Sequence, residues 1–75
     1  MIYDFLVLLE PDEQAGGHVA FCPPLPGCCS QGDTIDEALE NIKEAILLCV
    51  QDLQVQDRPI PDSSRTLVGS VAVAV

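Results

Sequence analysis

Basic residues are scarce in this chain. Lys43, Arg58 and Arg65 stand against twelve acidic side chains, for a formal charge of −9. A pI near 4.1 sets up a field that repels phosphate backbones and anionic headgroups and attracts a basic protein. Direct nucleic-acid binding is therefore not expected. Long apolar runs are missing as well: 5–9 and 45–50 fall far short of the roughly 20 residues that span a bilayer. No basic stretch followed by a cleavage site opens the chain. These absences predict a soluble, cytoplasmic protein with no membrane partner.

The ingredients of common active sites are equally sparse. Cys22, Cys28, Cys29 and Cys49 lack the paired C-x-x-C spacing of structural zinc sites, and a bond between the neighbours Cys28 and Cys29 would be strained. A zinc site of His18, Cys22 and Cys28 is the metal alternative. Reduced thiols packed as small hydrophobes are the simpler reading, with Cys49 at a packing position. His18 is the only imidazole, and its ordinary role is half-buried filler in a sheet. Gly16 and Gly17 belong to a turn, and no phosphate-binding loop with its lysine is present. No catalytic residue, metal or cofactor is expected.

What the chain does have is grease. Seventy-five residues make one small domain, of which 48% are apolar, with a mean hydropathy of +0.29. A chain this short buries only about 60% of the surface its unfolded form exposes. The surplus points to a subunit interface, hence a homodimer or higher homo-oligomer.

The pattern of that apolar material predicts an α+β domain, β-β-β-α-β in two layers. From Ile2 to Glu10, Tyr3, Phe5, Val7 and Leu9 alternate with Ile2, Asp4, Leu6 and Leu8, the period of a strand. Turn formers and acids at 11–17 reverse the chain into a second strand, His18–Cys22, completing a hairpin. Three prolines within 23–27 cannot supply ladder N–H groups, so that stretch is an irregular excursion. The sequence CCSQ adds a short third strand. Gly32 then permits a bend, and Thr34 with Glu37 forms a capping box that starts a helix at Ile35. Ile35, Ala38, Leu39, Ile42, Ala45, Ile46, Cys49, Val50 and Leu53 recur at three- and four-residue spacing, a stripe about 30 Å long facing the sheet. Residues 56–65 return in an extended path. The uncharged segment Thr66–Val75 reads as a last strand, paired within the sheet or across a dimer seam.

Asp33, Asp36, Glu37, Glu40 and Glu44 crowd one region. Asp33 and Asp36 suit the positive helix N-terminus, and Asp36, Glu40 and Glu44 line the face opposite the apolar stripe. Asp36, Glu37, Glu40 and Glu44 are thus the candidates for binding a basic partner. Leu47 and Leu48, on the flanks of the stripe, and Val71 and Val73, in the last strand, are the candidates for self-association. Two other classes stay open: a ribonuclease-H-like metal nuclease working through Asp4, Glu10 or the 33–37 cluster, and an orphan structural or ligand-binding module.

The order of the motifs is itself informative. GGHVAF at 16–21, LPGCCSQGDT at 25–34 running into EALENIKEAI at 37–46, and RPIP at 58–61 together resemble the HicB family, the antitoxin halves of HicA/HicB toxin–antitoxin pairs. The resemblance spans roughly residues 3–61. It implies a partial ribonuclease-H-like sheet carrying one long helix and lacking the catalytic set. It also implies binding to a small basic ribonuclease toxin of the HicA type, which cleaves messenger RNA, so as to screen its catalytic histidine. Many HicB proteins continue into a DNA-binding domain. A single domain over 1–75, without that extension, is the expectation here. The family often carries an acidic residue where this chain has Pro24, so no charged partner contact is expected there.

Overall fold

In the computed structural model, which describes residues 2–75, the chain forms β1 (Leu8–Pro11), β2 (His18–Phe21), β3 (Cys29–Gly32) and α1 (Ile35–Val55). The strands make one antiparallel sheet in the order β1-β2-β3, and α1 packs against β3 and β2. The α+β class and the order of three strands and a helix therefore hold.

Register follows the hairpin. Leu8 pairs with Phe21 and Leu9 with Ala20, while Ala20 pairs with Ser30 and Phe21 with Cys29. Alternation sends Ala20 inward, where it is fully buried, and leaves Phe21 and Leu8 well exposed on the far face. Phe5, Val7 and Leu9 pack against the core, the inner face expected of the first segment.

That first strand is shorter than the 2–10 expected. Extending the register back from Leu8 opposite Phe21 would set residues 6 and 5 against Pro23 and Pro24, which have no N–H to donate. The ladder stops there. Residues before Leu8 meet the returning chain instead: the Ser63 N–H donates to the Asp4 carbonyl at 2.7 Å, and the Asp4 N–H donates to Asp62 Oδ1 at 3.1 Å.

The proline-rich excursion is a plug. The Cys22 N–H donates to the Cys28 carbonyl at 3.0 Å, and Leu25 is tied to both, donating to Cys22 and accepting from Cys28. This folds Leu25 inward, 6% exposed, beside Cys22 and Cys28 at the end of the core.

At the helix start, Thr34 is extended and its Oγ1 accepts the Glu37 N–H at 3.1 Å. This is the hydroxyl half of the expected box. At the other end the Arg58 N–H reaches the Leu53 carbonyl and the Asp57 N–H reaches Gln54, the two bonds of a Schellman cap. The cap puts Asp57 at φ 54°, a left-handed conformation that penalises a side chain by about 1–2 kcal/mol. Asp57→Gly is expected to stabilise the protein by about 1 kcal/mol, read as a higher urea midpoint at unchanged slope.

Ala38 and Ile42 are the buried helix residues, with Ala45, Ile46, Cys49 and Leu53 packed behind them. Ile35 and Leu39, placed on the buried stripe by periodicity, are instead 48% and 40% exposed. A sheet of four-residue strands is only about 13 Å long, under a 21-residue helix of about 30 Å. The helix overhangs its sheet.

The expected last strand does not form within this chain. Residues 66–75 make no ladder and are exposed throughout.

Candidate interaction surface

The turn before β2 is built on Asp12. Its Oδ1 accepts the N–H groups of Gln14 and Ala15, and its carbonyl accepts that of Gly16. The turn brings Gly17, at φ 74°, flat against β3. A Cβ on Gly17 would collide with the Gly32 carbonyl oxygen, and one on Gly32 would collide with the Ala38 N–H at the helix start. Two glycines in series thus let turn, strand and helix meet at one point. Asn41 locks the junction, its Nδ2 donating to the Gln31 carbonyl at 2.7 Å.

An open groove of about 380 Å³ runs along this junction, lined by Gly16, Ser30, Gln31, Asp33, Glu37 and Asn41 among others. Glu37 borders it from the first turn of α1, where its N–H is held by Thr34 Oγ1. The sequence had not singled out Gln31 or Asn41. Neither carries a pattern, and only the folding of α1 over β3 brings them together.

From the groove, the outward face of α1 continues through Asp36, Glu40 and Glu44, four residues apart and so on one side. All three are exposed, as is Glu37. Leu47 and Leu48 follow on that side of the helix, 52% and 68% exposed. One face therefore runs from an acidic half into an apolar half.

The thiols lie elsewhere. Cys22 and Cys28 are buried, Cys49 is half-buried and Cys29 is exposed, all four free. Burial above all, then a hydrogen bond with Cys49, push the Cys28 thiol up to about 12. Burial likewise raises Cys22, against a backbone hydrogen bond from Leu25. Both are kept protonated and unreactive. The sign of the pH dependence follows. Above about 9, the ordinary value, an unfolded chain gains thiolates that the folded one refuses. Stability therefore falls as pH rises toward about 12 and then levels off. Melting temperatures across that range are expected to drop more steeply for the native sequence than for Cys28→Ala.

His18 sits half-buried in β2, paired with Pro11 and Gly32, its Nδ1 enclosed without a hydrogen-bond partner. Among the described residues no three His, Cys, Asp or Glu side chains are placed to hold one metal ion. The carboxylates of the nuclease reading are spread out. Glu10 is on β1, Asp33 follows β3 across the sheet about 10 Å away, and Asp4 meets the returning chain at Asp62. No helix among the described residues is long and apolar enough to cross a membrane.

The family described as HicB-like antitoxin of bacterial toxin–antitoxin system matches residues 5–71. The chain belongs to the HicB-like antitoxin family. A UPF0150 protein of Synechocystis sp. is 53% identical over 60 residues, 80% of this chain and 75% of its own length. One from Helicobacter pylori is 39% identical over 67 residues, covering 89% and 90%. One from Thermoplasma acidophilum is 44% identical over 57 residues, covering 76% and 81%. Membership in a HicB-like family supports an antitoxin role, and with it a toxin as partner.

Proposed function

We propose that this HicB-like chain neutralises a HicA-type, mRNA-cleaving toxin by direct protein–protein contact in the cytoplasm. It acts by stoichiometric occupation, with no catalysis or direct nucleic-acid contact of its own. The observation that carries this reading is the outward face of α1. Asp36, Glu37, Glu40 and Glu44 are exposed there without a side-chain ion pair among the described residues, free to meet a basic protein. The adjoining groove, bordered by Asp33 and Glu37, suits a long basic side chain from that partner. Self-association, through Leu47, Leu48, Val71 and Val73, uses the apolar surface that the acids leave over.

Co-expression with a HicA-type toxin tests the reading. A stoichiometric complex and restored translation are expected. Failure of both, with a toxin encoded beside this chain, would remove the proposal.

A further inference from the structure

We propose that a second copy completes this fold: the tail Thr66–Val75 of each chain adds as a strand to the open outer edge of β1 in the other. The tail is written as a strand. Leu67, Val71, Val73 and Val75 fall on one side, and Val68, Ser70, Ala72 and Ala74 on the other, with no charge in ten residues. Yet it lies outside the body, with Leu67 at 93%, Val71 at 87% and Val73 at 73% exposure.

The surface area measures what is missing. A folded monomer of 8.0 kDa exposes about 4,450 Å². This chain exposes 5962 Å², roughly 1,500 Å² more, whereas a standard interface takes about 800 Å² from each partner. Its radius of gyration, 14.1 Å, likewise exceeds the roughly 11 Å of a compact domain this long.

The same molecule offers a receptor. Strand order leaves β1 and β3 at the edges. The β3 edge is partly taken, since Asn41 holds the Gln31 carbonyl and Gly32 lies under the first turn of α1. Among the described residues no strand lies beside the outer edge of β1. The chain's own tail makes no ladder with that edge. Having met Asp4, residues 62–66 close a tight turn in which the Ser64 N–H binds Asp62 and the Thr66 N–H binds the Ser63 carbonyl. An unpaired strand and an unpaired edge in one chain are both satisfied, twice over, by a two-fold exchange. A basic toxin is the poorer occupant of this segment, because the tail has no acid to attract it.

This inference does not depend on toxin binding and is tested on this chain alone. Light scattering against concentration, with isotope-filtered nuclear Overhauser contacts in a mixture of labelled and unlabelled protein, is expected to show a dimer. Tail residues of one copy should touch Leu8–Pro11 of the other. A chain that stays monomeric to millimolar concentration, a tail found on its own β1, or a dimer whose tail amides exchange freely would each overturn it. In the double variant Val71→Asp, Val73→Asp, the dimer dissociation constant is expected to rise by at least on the order of 100-fold, with helix content retained. Unchanged association would also overturn it. Contacts in the unmodified chain decide the matter even where the variant fails to fold.

Discussion

Neutralising the acidic face, with Asp36→Asn, Glu37→Gln, Glu40→Gln and Glu44→Gln combined, is expected to weaken toxin binding by on the order of 100-fold or more while leaving the helix folded. Magnitudes decide between the two effects. Losing Asp36 and Glu37 from the first turn costs about 0.3–1 kcal/mol each at the helix dipole. Against that, Glu40 and Glu44 repel each other at four-residue spacing, and removing the pair returns a few tenths of a kcal/mol. Close charge pairs across an interface couple by about 1.5–7 kcal/mol, so binding suffers far more than folding. Calorimetric titration against a HicA-type toxin, with circular dichroism as the control for fold, checks this. The native affinity should also fall with added salt, and the variant's salt dependence should be flatter.

Gly17→Ala is expected to lower the melting temperature by roughly 10 °C or more, at about 4–8 °C per kcal/mol for a domain this size. The left-handed backbone costs about 1–2 kcal/mol, and overpacking against the Gly32 carbonyl adds about 1–3 kcal/mol. A domain of this length has only about 4–11 kcal/mol in hand. Gly16→Ala is the matched control, because Gly16 is also left-handed, at φ 78°, but has nothing within 4 Å of the new Cβ. It should lose only the backbone share, about 1–2 kcal/mol. Paired thermal melts of the two variants separate conformational cost from collision. Equal destabilisation would mean that turn and strand do not meet as closely as described.

Much of the fold was legible because the signals were local. The helix begins at Ile35 because Thr34 carries a hydroxyl that caps Glu37, a relation contained within four residues. The turn at 11–17 and the prolines at 23–27 announce themselves by residue type. Other features needed distance. The first strand shortens because the residues it would pair with turn out to be Pro23 and Pro24, a fact of register. Ile35 and Leu39 stay exposed because the sheet is too short to cover them, which periodicity along the helix does not report. The acids of the candidate surface were visible as types and spacings. That Glu37 borders a groove with Asn41 and Gln31 was not.

Taken alone, the sequence determined the net charge, the three-strands-then-helix order, the cap and the family, because each is a property of neighbouring residues or of their sum. Tertiary structure decided the rest. It set Gly17 on Gly32, folded Leu25 into a plug and buried Cys28. It also left the uncharged tail without a strand partner in its own chain, since pairing depends on which edges are open once everything else has packed.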